Sequence, residues 1–308
     1  MRCLILGGAG FLGSHLCDAL TAAGHEISIF DRPGASLACR GGLTVSEGDF
    51  SRLTEAQFAE LLQGIDVVYH LVSTTVPSNE DSLLDVQTNV MPTLRLLEAC
   101  KKKAVRVVFF SSGGTVYGKP QCIPIKEEHG TNPICSYGVQ KLAIEKYLQL
   151  YQHAAGLEYV ILRIANPYGV RQVPFTTQGV VATFLAKALL GESLEVWGDG
   201  SVVRDYLYVG DVARAAALAL HYQGPERIFN IGSGSGHSLT ELLETLETAV
   251  GRALEVRYRP GRKQDVSVNV LDIARAQAEL HWQPQISLLA GVQAMRDSWQ
   301  PATRRFEG

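Results

Sequence analysis

Two side chains four positions apart in this sequence could together move a proton. Tyr137 and Lys141, in Ser136-Tyr137-Gly138-Val139-Gln140-Lys141, share one face if the segment is helical. A free phenol titrates at about 10, too high for a base at neutral pH. A neighbouring ammonium, or a cationic ring bound beside it, stabilises the phenolate. The pair therefore reads as a general base for a hydroxyl proton, tuned by Lys141. The same spacing also occurs on ordinary surface helices, so the reading depends on a second motif upstream.

That motif is Gly7-Gly8-Ala9-Gly10-Phe11-Leu12-Gly13, between an apolar run and a helical pattern. Gly7 permits a tight turn, Gly10 lets backbone approach a pyrophosphate, and Gly13 allows close helix–strand packing. The helix start at Phe11 and Leu12 offers unpaired N–H groups and a positive dipole end. Asp31 lies 18 residues beyond Gly13, where a carboxylate can accept hydrogen bonds from the adenosine ribose. It favours NAD over a 2′-phosphorylated dinucleotide. The adjacent Arg32 could soften that preference; taken alone it is a solvated surface cation.

The elements that must position these groups are legible as a pattern. Arg2–Leu6, Glu26–Phe30, Leu43–Ser46, Asp66–Val72, Val105–Phe110 and Tyr159–Ile164 read as short strands. Phe11–Ala23, Ser82–Lys103 and Tyr137–His153 read as helices between them. Lys101, Lys102 and Lys103 suit a helix C-terminus. Strands alternating with helices of this size predict an α/β, Rossmann-type doubly wound parallel sheet. Beyond Asn166 the pattern changes. Helices over Gly179–Leu190, Asp211–His221 and Leu239–Val250 are interleaved with strands at Leu194–Trp197, Arg227–Ile231 and Glu255–Arg259. We expect a cofactor domain over 1–166, with segments near 205–232 returning to it. A smaller mixed α/β substrate domain is expected over 167–308.

Composition excludes several classes. Lys and Arg number 28 against 31 Asp and Glu, a net charge of −3. That offers no basic field for nucleic acid. No apolar run approaches the roughly 18 residues of a membrane span. MRCLILGG reads directly as a strand, so no secretory leader is expected, and none of the six cysteines forms a CxxC pair. A cytoplasmic protein with reduced thiols is expected. The histidines form no spaced ligand cluster, so no metal site is expected, and His70 reads as a packed core residue.

The combination GGAGFLG, Asp31, Tyr137 and Lys141 resembles the extended short-chain dehydrogenase/reductases. Further segments resemble their nucleotide-sugar epimerase/dehydratase branch, the family of UDP-glucose 4-epimerase. VVFFSSGGTVYG is similar to the strand and loop before the tyrosine, and RIANPYGVRQ to the segment with a substrate-contacting Asn, here Asn166. VWGDGSVVRDYLYVGDVARA, with Arg204 and Asp205, and GRKQDV, with Arg262 and Asp265, are similar to its substrate-side blocks. The likeness runs in order over nearly the whole chain. It implies tightly held NAD and a nucleotide-diphosphate sugar substrate. Arg204 and Arg262 would sit on the substrate pyrophosphate, with Arg171 a weaker third, and Asp49 near the adenine amino group. Leu71, at the end of its strand, and Ser111 belong to the cofactor crevice.

One departure falls inside the site. The family loop often reads SSSATVYG, and its third serine bonds the reacting hydroxyl. Here Ser111-Ser112-Gly113-Gly114-Thr115 puts Gly113 in that place. Thr115 remains, and Ser112 is a weaker candidate. An unreplaced hydrogen bond costs about 10–100-fold. The acidic pair that 4,6-dehydratases carry in this loop is absent, so dehydration is not expected.

The leading expectation is an NAD-dependent nucleotide-sugar 4-epimerase, with Tyr137, Lys141 and Thr115 as the catalytic set. The alternative is an NAD(P)H-dependent reductase of a nucleotide 4-keto-6-deoxy sugar. A third, a non-catalytic dinucleotide sensor, is disfavoured by the presence of Gly7, Gly10 and Tyr137 together. The resemblance further implies a homodimer, through a bundle of Ser82–Lys103 and Tyr137–His153 from each subunit.

Overall fold

Along the first strand, side chains alternate between two cores. Cys3 and Ile5 pack with Leu16, Cys17 and Leu20 on one face, while Leu4 and Leu6 pack with Phe58, Leu96 and Leu97 on the other. A strand buried on both sides needs helices on both faces. The computed structural model, which describes residues 1–35, 43–176, 178–261 and 266–299, supplies them. In chain order the first half comprises β1 (Arg2–Leu6), α1 (Phe11–Ala22), β2 (Glu26–Asp31), β3 (Thr44–Glu47), α2 (Glu55–Leu61), β4 (Val67–His70), α3 (Ser82–Asp85), α4 (Met91–Lys103), β5 (Arg106–Ser112), α5 (Ser136–Ala155) and β6 (Tyr159–Ile164). The second half comprises β7 (Asn166–Tyr168), α6 (Val180–Leu190), β8 (Leu194–Trp197), β9 (Val203–Tyr208), α7 (Val209–Ala219), β10 (Ile228–Ile231), β11 (Gly236–Ser238), α8 (Leu239–Val250), β12 (Val256–Arg259), β13 (Val268–Asn269), α9 (Ala274–Leu280) and α10 (Leu288–Asp297).

The main sheet has seven strands in the order β10-β6-β5-β4-β1-β2-β3, all parallel. This is the expected Rossmann-type sheet. The chain winds outward from β1 through β2 and β3, then returns to β4 on the other side of β1. That reversal opens a crevice at the C-terminal ends of β1 and β4. The smaller C-terminal domain has its own core, in which Val181 and Leu185 of α6 meet Leu242 and Leu246 of α8 and Val292 of α10. Its strand β9 joins β7, β11 and β13. Two later elements come back to the first layer: β10 completes the sheet beside β6, and α7 packs against α1.

The helix expected over Ser82–Lys103 is helical throughout but not uniformly α. A π turn occupies Val86–Val90, between α3 and α4. Pro92 follows at the start of α4. It has no N–H for the carbonyl four residues back, so the ladder slips there. The strand β9 was not expected from the pattern. Among the described residues, no helix is long and apolar enough to cross a membrane.

Candidate active site

The glycine turn sits at the mouth of the crevice. Gly7 has φ +87°, a left-handed conformation that glycine adopts without strain. Its N–H donates to Phe30 O at 2.8 Å, and Gly10 N–H donates back to Gly7 O at 3.2 Å. A Cβ on Gly13 would collide with the Gly7 carbonyl oxygen and lie 2.7 Å from Gly8 Cα. On Gly10 it would meet only Gly7 O, at 3.3 Å, so the outward side of the turn is open. No side chain caps α1, so its first N–H groups, at Phe11, Leu12 and Gly13, remain for a ligand. Asp31 accepts from Ala9 N–H at 2.9 Å through one oxygen and from Arg32 N–H at 2.8 Å through the other. The carboxylate is thereby fixed beside the turn with lone pairs to spare, while the Arg32 side chain is exposed. Leu71 continues β4 past its end, and Leu71 and Val72 lie against Gly7 across the crevice. This cradle fits a dinucleotide pyrophosphate and its ribose. Asp49 bonds Ser51 at 2.9 Å and pairs with Arg52 at 3.2 Å, which makes it the cap of a short helical turn in this arrangement.

Tyr137 and Lys141 open α5, where the sheet ends. Lys141 is buried and donates to Phe110 O at 2.9 Å. Its ammonium lies 5.6 Å from the centre of the Tyr137 ring and 5.0 Å from that of Phe109. Burial pulls Lys141 down to about 8, partly opposed by the Glu145 charge. Burial pushes the Tyr137 phenol up to about 12, and the neighbouring Ser73 side chain opposes that rise. In the protein alone, then, proximity to Lys141 does not bring the phenol below its ordinary value, contrary to the expectation from its spacing. Desolvation outweighs it.

Ser73 is a residue that the sequence pattern did not single out. Its loop is held behind Tyr137 by two helices. Asn89, in the π turn, accepts from Thr74 N–H at 2.9 Å, and Gln140 of α5 donates to Thr75 Oγ1 at 2.9 Å. Asn89 is buried in that turn, and no local pattern in the sequence announces its partners in the Thr74–Thr75 loop. His70 is buried between Phe50 and Phe109 and bonds Thr93 at 2.8 Å. Burial lowers it to about 3, so it is the neutral core histidine expected.

The loop after β5 lines the other wall. Gly138 brings it close: a Cβ there would lie 2.8 Å from Thr115 O. Thr115 Oγ1 is shielded from solvent and has no hydrogen-bond partner among the described residues. An unmet buried hydroxyl costs about 1–3 kcal/mol unless something bonds it. Ser111 is turned away from the crevice, with its hydroxyl donating to Glu145 at 2.5 Å. Gly113 faces inward as well. A Cβ there would lie 2.6 Å from Leu271 Cδ1 and 3.1 Å from Arg163 O, whereas at Gly114 the nearest atoms are Ser112 Oγ at 3.9 Å and Asn166 Oδ1 at 4.0 Å. Room for a hydroxyl therefore exists at Gly114 and not at Gly113. Gly113→Ser should lower unfolding stability by about 1–3 kcal/mol through overpacking, and Gly114→Ser should leave it unchanged. Denaturant unfolding of the two variants checks this.

Across the loop, Asn166 Nδ2 donates to Asp205 O at 3.1 Å. Asp205 is itself buried, and its carboxylate accepts from Ser233 N–H at 2.6 Å, Ser233 Oγ at 2.7 Å and Leu271 N–H at 3.2 Å. It clamps three segments together. Arg204 reaches Val266 O at 2.7 Å from β9. Arg171 pairs with Asp18 of α1 at 2.7 Å. Arg262 and Asp265 lie outside the described residues.

The fold of this chain recurs in known proteins. Residues 3–232 match the model of the NAD dependent epimerase/dehydratase family. The UDP-glucose 4-epimerase of Mycolicibacterium smegmatis is 36% identical over 301 residues, spanning 95% of this chain and 96% of that protein. The UDP-glucose 4-epimerase of Thermotoga maritima, solved with UDP-glucose, has a TM-score of 0.91 and 35% identity over 96% of this chain and 98% of its own. The UDP-glucose 4-epimerase of Thermus thermophilus, solved with NAD, has a TM-score of 0.89 and 35% identity over 98% of this chain and 100% of its own. With matches of this extent and a crevice shaped for the cofactor, the chain belongs to the NAD-dependent epimerase/dehydratase family.

Proposed function

We propose that the protein is an NAD-dependent nucleotide-sugar 4-epimerase acting on a UDP-sugar. The observation that carries this reading is the Tyr137–Lys141 pair on a helix packed, at Gly138, against the loop of Thr115, in a sheet whose first turn is built for a dinucleotide. NAD, held by the Gly7–Gly13 turn and Asp31, supplies the hydride acceptor and donor for the sugar carbon 4. Tyr137 takes the proton of the 4-hydroxyl as that carbon is oxidised, and returns it when the keto sugar, turned over in the site, is reduced on its other face. Lys141 offsets the charge of the phenolate. Thr115 donates to the oxygen on carbon 4 in place of the serine that Gly113 lacks. Ser112 and Asn166 border the sugar. Arg204, Arg262 and Asp265 contribute to the nucleotide side.

The test is incubation with UDP-glucose, UDP-galactose, their N-acetyl and uronate forms, and TDP- and GDP-sugars. A 4-epimer from at least one, without net consumption of added NAD, is the expected result. No 4-epimer from any overturns it. Stoichiometric NADH consumption with a 4-keto-6-deoxy sugar would replace it with the reductase reading.

We read residues 1–166, with the returning 205–232, as the cofactor domain, and the remainder as the substrate domain. A cytoplasmic site of action is supported by the free thiols of Cys3, Cys17, Cys100, Cys122 and Cys135. A homodimer is supported by an exposed apolar set, Leu83, Val86 and Met91 beside Val139 and Leu150, on the helices expected to form the bundle. Light scattering at micromolar concentration should give twice the mass of the chain, and a monomer would contradict the assembly.

A further inference from the structure

Below the Tyr137–Lys141 pair the same helix carries a third polar residue at the same spacing. Glu145 is fully buried, and so is the residue it meets, Arg163 of β6. Arg163 Nη2 donates to Glu145 Oε2 at 2.6 Å, and its Nε donates to Oε1 at 3.1 Å. The carboxylate also accepts from Ser111 Oγ at 2.5 Å, at the end of β5. The guanidinium continues outward: Nη1 donates to Tyr117 OH at 2.9 Å, and Tyr117 OH donates to Asn230 Oδ1 at 2.6 Å. Tyr117 lies on the loop that carries Gly113 and Thr115, and Asn230 on β10. One buried pair thus ties together α5, β5, β6, β10 and the catalytic loop.

Replacing such a pair by apolar side chains is often neutral or stabilising, so its presence is weak evidence for stability. Its placement suggests another use. We propose that Glu145 and Arg163 are positioning residues, a buried pair that holds Lys141, Ser111 and the Thr115 loop in register at the base of the cofactor crevice. This rests on the epimerase reading of the same site. Besides the geometry, the pair sets a local field. The groups around Lys141 are Tyr137 and Glu145 on its own helix, the neutral His70 from β4, and the Phe109 ring and Phe110 carbonyl from β5. Of these, Glu145 is the one negative charge that supports the ammonium against burial. Arg163 in turn keeps that carboxylate in place.

The experiment follows Lys141 itself, by NMR titration of protein labelled at lysine Cε and assigned with Lys141→Arg. It needs no turnover, so its outcome is separable from failure of the epimerase reading. In Glu145→Gln, the Lys141 midpoint should fall by about one pH unit, as expected for loss of a nearby opposite charge. The alkaline limb of kcat should move to lower pH with it. Glu145→Gln leaves Arg163 buried and unpaired and could fail to fold. The double variant Glu145→Gln/Arg163→Met removes both charges, and its midpoint should fall by less. Glu145→Asp keeps the charge and should restore most of the midpoint. A Lys141 midpoint unchanged or raised in the folded double variant, or equal in Glu145→Gln and wild type, would reduce the pair to a structural tie and overturn the proposal.

Discussion

Tyr137→Phe should lower kcat by about a thousandfold, within the span that general acid–base groups contribute. The phenol is asked to act twice, taking the 4-hydroxyl proton and then returning it, so both half-reactions lose their proton carrier together. The fold should hardly notice. Tyr137 keeps part of its surface exposed, so the oxygen lost can cost at most a hydrogen bond at a partly exposed site. A single hydrogen bond of that kind is worth about 1 kcal/mol. NAD content, UDP-sugar affinity and thermal midpoint are therefore the controls, and all should stay near wild type. A variant that keeps more than a tenth of its turnover would mean that the base lies elsewhere, with Thr115 the next side chain to test. The pH profile adds a second check. Burial holds Lys141 at about 8, and the ammonium is the state that offsets a phenolate. Activity should accordingly decline as pH rises through that value, and the decline should not coincide with unfolding.

The parallel layer of the fold was readable because its strands are apolar on both faces. Cys3, Leu4, Ile5 and Leu6 have no polar member to confuse the pattern, and each is buried. The glycine turn was readable for a related reason, since its spacing is dictated by backbone contact alone. The second domain was less legible where burial and polarity disagree. In β9 the residues Arg204 and Asp205 interrupt the apolar period. Asp205 is nevertheless buried, because its carboxylate meets Ser233 and Leu271, residues remote in sequence. No local pattern announces such a partner. The π turn at Val86–Val90 was hidden in the same way, its sequence being helical in either form.

The candidate site divides along the same line. Tyr137, Lys141, Asp31 and the glycines could be picked out as candidates because their spacing is local. Ser73, Asn89 and Gln140 could not, because what brings them to Tyr137 is the meeting of β4, the π turn and α5. The loop at Gly113 shows a subtler limit. A missing hydroxyl is visible in the sequence, but the direction of its Cβ toward Leu271 is not. Ser111 is the converse case: the motif marks it as a crevice candidate, and its hydroxyl is spent on Glu145.

The second large effect separates two jobs of the glycine turn. Gly13→Ala places a Cβ against the Gly7 carbonyl and the Gly8 backbone, none of which can rotate away. The turn must open or α1 must tilt, at a cost of about 1–3 kcal/mol or more in stability. NAD affinity should fall by at least about a hundredfold, since the N–H groups of α1 then miss the pyrophosphate. Gly10→Ala makes a different prediction from the same geometry. Its Cβ meets only the Gly7 oxygen, at 3.3 Å, and projects to the open side. The protein should fold with near-normal stability yet lose NAD affinity, because the methyl stands where the phosphates approach. Equilibrium NAD binding and denaturant unfolding, measured on both variants, give four numbers with a fixed pattern. Binding should fail in both and stability in Gly13→Ala alone. If Gly10→Ala bound NAD as wild type does, the pyrophosphate would not lie over this turn. The positioning of the cofactor against Tyr137 would then need another origin, since the crevice between β1 and β4 would no longer locate its phosphates.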